Sequence, residues 1–205
     1  MKISTSKQPL APPTDRREAV VHAAWRVAAR DGLAAVTIRA IAKEIGYTTG
    51  IVMHHFPTKE AIIEEMIERL YKGLREIYLA AMDGAPSAER LERLLLSALP
   101  LEPSLVFGWK LSVVLQGEAL RSSRIAGLHR GYYRRFEDDI REELGRMREA
   151  GLVPESTDLA VATARLMVVV EGIGANFALR PRAMPPRLQR LLLKQELAML
   201  CQTQG

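Results

Sequence analysis

The chain has 205 residues, 48% hydrophobic and 26% charged, enough to bury a sizeable core in one domain or one and a half. Its 5% aromatic content and long Ala/Leu/Arg/Glu segments argue against a sheet-rich fold, while a single cysteine, Cys201, excludes an intramolecular disulfide. Net charge is +5, and the excess is uneven: residues 1–59 hold nine Lys/Arg against four Asp/Glu, whereas residues 60–205 hold twenty of each. Such asymmetry points to a polyanionic partner, or else is solvated surface. The N-terminus, MKISTSKQPLAPP, lacks an apolar signal-peptide core, so a cytoplasmic all-α protein is expected.

Residues 1–13 combine Ser, Thr, Lys and three prolines without an apolar period and read as a flexible arm. Asp15 and Glu18 then stand at capping-box spacing. Val20, Ala23, Ala24, Val27 and Ala28 recur at helical intervals up to Gly32, predicting a first helix over about 15–31. In Thr37–Lys59 two short apolar patterns flank a glycine. Ile38, Ile41 and Ala42 share one face of a second helix ending at Ile45 and Gly46, and Val52 and Phe56 anchor a third. Ala42 permits close helix approach, and Gly46 suits the left-handed residue of a tight turn. Thr37, Thr48 and Thr58 are placed to cap the second, third and fourth helices. The spacing predicts a helix-turn-helix whose outward face shows Thr49, Gly50, Met53 and His54, with His55 at its edge.

A long fourth helix is expected over about 59–82, with Ile62, Met66, Leu70, Leu74 and Ile77 inward, up to the breaker Asp83-Gly84-Ala85-Pro86. Further helices are expected over 87–99, 104–120 and about 122–150, the last as an exposed amphipathic helix ending at Gly151. Residues 158–179 are apolar nearly all round and long enough to span a membrane, but Arg165, Glu171 and Asn176 argue against that and predict a helix buried on several sides. A last helix over about 187–200 carries Leu188, Leu191, Leu192 and Leu197. Two terminal apolar helices without an obvious third partner predict a homodimer through about 156–205, and no membrane contact.

The pattern Gly32, Thr37, Ile41-Ala42, Gly46, Gly50, His55-Phe56 and Lys59 resembles the N-terminal domain of the TetR family of bacterial transcriptional regulators, over about residues 15–65. Within it, Thr49-Gly50-Ile51-Val52 followed by His54 and Phe56 is similar to the choline-responsive BetI branch. One departure stands out, since Met53 occupies the place of a tyrosine that commonly contacts the DNA; it offers apolar contact to a thymine methyl but no phenolic hydrogen bond. The resemblance implies an all-α homodimer: an N-terminal three-helix module over 14–57 that binds double-stranded DNA at a palindromic operator, and a C-terminal helical domain over 58–205 that binds a small effector and dimerises.

Candidate DNA-binding residues follow from both readings. Arg39 matches a position that reads a base in some relatives, where a guanidinium can grip guanine bidentately, or else it lies near phosphates. Thr37, Thr48 and Lys59 suit phosphate contacts, because helix starts present free N–H groups; the threonines can equally be simple caps. Thr49 and His54 face outward to read bases, Gly50 lets the backbone approach closely, and Met53 and His55 complete the face.

For the effector, Phe107, Trp109, Gln116, Tyr133, Met167, Glu171 and Asn176 are polar or aromatic members of inner C-terminal helices, each of which could equally be plain core. Glu171 either pairs with Arg165 or another arginine, or meets a cationic or amphipathic ligand beside an aromatic ring. His54 and His55 are adjacent, about 100° apart on a helix, and His22 and His129 are isolated, so no metal or cofactor is assigned. G-x-S-x-G, Walker, HExxH and Cys-cluster patterns are absent, so no enzyme is expected. A ligand-responsive, DNA-binding repressor is the leading expectation; the alternative is a small-molecule-binding or interaction protein whose helix-turn-helix does not bind DNA.

Overall fold

The computed structural model describes residues 15–201; the expected arm at 1–13 lies outside them. Regular structure among the described residues is helical: α1 (Arg16–Asp31), α2 (Ile38–Ile45), α3 (Thr49–His55), α4 (Lys59–Ala81), α5 (Ala88–Ser97), α6 (Pro103–Ala119), α7 (Ser123–Glu149), α8 (Leu159–Leu179) and α9 (Pro186–Cys201), with 3-10 turns at Leu33–Ala35 and Pro181–Ala183.

The helix starts are specified locally. Carboxylate or hydroxyl oxygens of Asp15, Thr37, Thr48 and Thr58 accept the N–H groups of Glu18, Ala40, Ile51 and Ala61 at 2.7, 3.1, 3.3 and 3.1 Å. Each such cap contributes about 1 kcal/mol. The stops are equally local. Gly46 ends α2 in the left-handed conformation at φ 69°, and the Tyr47 N–H closes the turn onto the Ala42 carbonyl at 2.9 Å.

The chain forms two compact units. One comprises residues up to Gly73 with Lys110–Leu128; the other comprises Leu74–Trp109 with His129 onward. In the first, Val20, Ala23, Ala24, Ile41, Val52, Phe56, Ile62 and Met66 are buried, and the Trp25 indole N–H donates to the Met66 carbonyl at 3.2 Å. Packing matters most for α3: seven residues cannot sustain a helix alone, so buried Val52 and Phe56 hold it in place.

In the second unit, Leu91, Leu94, Leu95, Ile140, Leu144, Leu166 and Leu193 are completely buried. Trp109 lies flat against Gly174, where an added Cβ would overlap the indole ring. The same core encloses an ion pair, since Arg90 Nε donates to Glu143 Oε1 at 2.9 Å and Arg90 Nη2 reaches Glu143 Oε2. The hydrogen bonds that Arg90 donates to Glu143 come first among the causes that raise the Arg90 pKa. Arg90 Nη1 also donates to the Gly84 carbonyl and so fixes the turn between α4 and α5. The expected amphipathic α7 is present, with an inward stripe of Phe136, Ile140, Leu144 and Met147; the fully buried carboxylate of Glu143 within that stripe departs from the expectation.

The expected burial of α8 is corrected. The helix is not buried on several sides. Ala162, Thr163, Leu166, Val170, Ile173 and Gly174 face the core, whereas Val161, Val168 and Leu179 are 55%, 70% and 72% exposed. Arg165 pairs with Glu196 of α9 at 2.8 Å and not with Glu171. Part of the apolar surface of α8 is left uncovered by the described residues. By length and composition alone α8 could cross a membrane, with 33% of its apolar window buried.

Candidate nucleic-acid interface and effector site

The caps and the α2–α3 turn place the predicted DNA residues on one stretch of surface chain. Thr37, Arg39, Thr48, Thr49, Gly50, Met53 and His54 are exposed; His55 and Lys59 are half-buried. Although Thr37 and Thr48 each accept a backbone N–H, their hydroxyl protons remain able to donate to a phosphate, so capping and contact are compatible. A Cβ at Gly50 would meet only the Thr48 hydroxyl, at 3.8 Å, so packing inside the chain does not require glycine there.

Electrostatics separates the cations of this unit into two groups. Arg26 and Arg30 reach the carboxylate of Glu44 at 2.8 and 3.1 Å and tie α1 to α2, and their hydrogen bonds hold the Glu44 carboxyl below its usual range. Arg17 and Arg69 share Glu65 at 2.6 and 2.7 Å. Burial pushes that carboxyl up, but the hydrogen bonds from the two guanidiniums outweigh it and leave it lowered. Arg39, Lys43 and Lys59 form no ion pair among the described residues.

The effector candidates divide between the units: Gln116 belongs to the first, the other six to the second. The buried Trp109 donates its indole N–H to the Ala98 carbonyl at 2.7 Å and presents only its ring. Asn176 donates to the Gly172 carbonyl at 2.7 Å and accepts from Arg180, so its amide is engaged along its own helix. Phe107, Met167 and Glu171 are half-buried, with Met167 packed on the core.

Tyr133 belongs to a larger aromatic group, most of which sequence reasoning passed over. Its ring centre lies 4.2 Å from that of His129 and 5.5 Å from that of Tyr132. Tyr78 of α4 lies 4.5 Å from Phe136, and the Tyr78 and Tyr132 hydroxyls are 2.5 Å apart. Burial drives the Tyr78 hydroxyl pKa up; the bond to Tyr132 opposes this, and the Glu171 carboxylate adds to the rise. Glu171 therefore acts electrostatically on the aromatic group. A signal was present in the sequence, since His129, Tyr132, Tyr133 and Phe136 stand at i, i+3, i+4 and i+7 on one stripe of α7. Burial alone lowers the His129 pKa.

An all-helical chain that holds a seven-residue helix on two buried anchors, with small polar residues and unpaired cations exposed around it, is built as a DNA-binding regulator. Residues 20–66 match the family model for bacterial regulatory proteins of the tetR family, and residues 86–202, more than half the chain, match the BetI-type transcriptional repressor C-terminal domain. The chain belongs to the TetR family of bacterial transcriptional regulators and is not an enzyme. It is 33% identical to the HTH-type transcriptional regulator BetI of Rhizobium meliloti over 129 residues, 61% of this chain and just under two thirds, 62%, of that protein. It is 30% identical to the nucleoid occlusion factor SlmA of Marinobacter nauticus, over 77% of this chain and 80% of that one. A regulator from Saccharomonospora viridis, solved in complex with choline, superposes with a TM-score of 0.82 at 26% identity, over 89% of this chain and 95% of that one.

Proposed function

We propose that the protein is a ligand-responsive homodimeric repressor of the cytoplasm, which holds a palindromic operator until a small cationic effector releases it. The observation that carries the reading is α3, where Val52 is buried while Thr49, Gly50, Met53 and His54 stay exposed. In this assignment Thr37, Thr48 and Lys59 hold phosphates, while Arg39, Thr49, Met53 and His54 contact base edges. Gly50 admits the backbone, and His55 closes the face. Two such helices in successive major grooves stand about 34–36 Å apart. Support for the dimer comes from α8: Val161, Val168, Gly172 and Leu179 are exposed at intervals of seven, four and seven, the spacing of a helix–helix seam. Exposed Leu191 and Met199 of α9 extend the apolar surface.

The effector class is taken from Glu171, whose carboxylate acts electrostatically on Tyr78, a member of the aromatic group with Tyr132 and Phe136. A carboxylate next to aromatic faces suits a quaternary ammonium, each well-placed ring contributing about 0.5–2 kcal/mol. Choline, bound in the Saccharomonospora viridis relative, is the natural probe. Within the second unit Phe107, Met167 and the Trp109 ring supply apolar wall and Asn176 completes the candidate set; Gln116 belongs to the other unit. A ligand that favours the released state about 100-fold weakens operator binding by about 2.7 kcal/mol, enough to free the site. Isothermal titration with choline chloride should give saturable binding that Glu171→Gln abolishes. No heat with the native chain, or equal binding by the variant, would remove the cationic assignment.

A further inference from the structure

The Arg17 side chain makes three contacts at once. Nη1 donates to the main-chain oxygen of His55 at 3.2 Å, Nη2 donates to Glu65 Oε2 at 2.6 Å, and the guanidinium carbon lies 4.3 Å from the centre of the Phe56 ring. His55 is the last residue of α3 and Phe56 its C-cap. Glu65 lies on α4, so one α1 side chain links the end of α3 to α4. The other Glu65 oxygen accepts from Arg69 Nε at 2.7 Å, and Arg69 Nη1 lies 3.6 Å from Glu18 Oε1. Both oxygens of Glu65 are thus engaged.

The arrangement answers a mechanical need. Val52 and Phe56 fix how deeply α3 sits, but apolar packing is non-directional and leaves the roll of so short a helix weakly determined. A guanidinium bonded to a carbonyl at the negative end of a helix is directional as well as electrostatically favourable. We infer that Arg17 and Glu65 form a positioning pair for sequence reading: Glu65 orients Arg17, and Arg17 sets the orientation of α3 through the His55 carbonyl. The inference rests on the reading of α3 as the base-contacting helix.

Charge makes the test discriminating. Glu65→Gln removes a negative charge, so a purely electrostatic role strengthens binding to every duplex. A positioning role predicts the opposite sign on one duplex only. Operator affinity, with the operator selected from a random pool, should fall about tenfold in Glu65→Gln and in Arg17→Lys, which keeps the charge but loses the fork. Affinity for random-sequence duplex should stay level or rise, with the helical circular-dichroism signal unchanged. Equal changes on operator and random duplex, or tighter operator binding by Glu65→Gln, overturn the pair. A native protein that selects no sequence overturns the role of α3 and the pair with it; a native preference that both variants retain overturns the pair alone.

Discussion

The two bare helix faces of this chain differ in kind. On α3 the exposed residues are Thr49, Gly50, Met53 and His54, on a helix of seven residues. On α8 they are Val161, Val168 and Leu179, on a helix of 21. The first face is small, polar and near cations without ion pairs; water costs it little, and it gains from a charged groove with readable edges. The second is an apolar seam that water penalises, and another apolar seam relieves it. In the proposed assignment each face meets a partner. The chemistry of the exposed atoms says which kind.

The largest effect should come from making one face resemble the other. Val168→Asp places a carboxylate on the α8 seam, and burying it unpaired costs several kcal/mol. The variant should sediment as a monomer and, with its half-sites unlinked, lose about 10,000-fold in operator affinity, about 5.5 kcal/mol. A dimer at unchanged concentration dependence would show that the seam is not the interface. Next comes the scaffold that carries the seam: Arg90→Met leaves Glu143 buried without its partner and should cost about 3–5 kcal/mol in urea unfolding. An effect below about 1 kcal/mol would mean that the carboxylate finds another partner or takes up a proton.

On the polar face, Arg39→Ala should cost about 1–3 kcal/mol and relax specificity at one base position, whereas Lys59→Ala should weaken all sequences alike and lower the salt slope by about 1. Equal loss on every sequence for Arg39→Ala would reduce it to a phosphate contact. The smallest effect concerns His22, 5% exposed and stacked on Trp25 at 5.2 Å. Burial leads the causes that lower its pKa below 6.5, with Glu18 opposing. The unfolded chain therefore binds this proton more readily, so stability should fall as pH drops through 6.5. Melting temperature followed from pH 7.5 to 5.5 should decline, and less so in His22→Phe; parallel curves would exclude His22 as a source.

What could be read from the chain follows the range of each interaction. The caps at Asp15, Thr37, Thr48 and Thr58 and the stops at Gly32 and Gly46 act over a few residues, so helix limits and the α2–α3 turn were legible. Exposure of the α3 face followed from its two anchors. Arg90 and Glu143 are 53 residues apart, and Arg17 and Glu65 are 48 apart; neither distance leaves a periodic trace. Arg165 had Glu171 as its nearer candidate in sequence but meets Glu196, because helix direction and not sequence distance decides which carboxylate it faces. The burial of α8 was overestimated for a related reason, since an apolar pattern does not say whether its partner belongs to the same chain. The aromatic group was half legible: the α7 stripe is periodic, but Tyr78 joins it from α4 only once the chain is folded.

Selection of duplexes from a random pool by the full-length protein, followed by fluorescence anisotropy across a salt series, tests the central claim most directly. The account predicts a two-fold symmetric sequence, preferred over random duplex at every salt concentration, with log K falling steeply as salt rises. Recovery of no preferred sequence, or binding that does not discriminate at low salt, would contradict it.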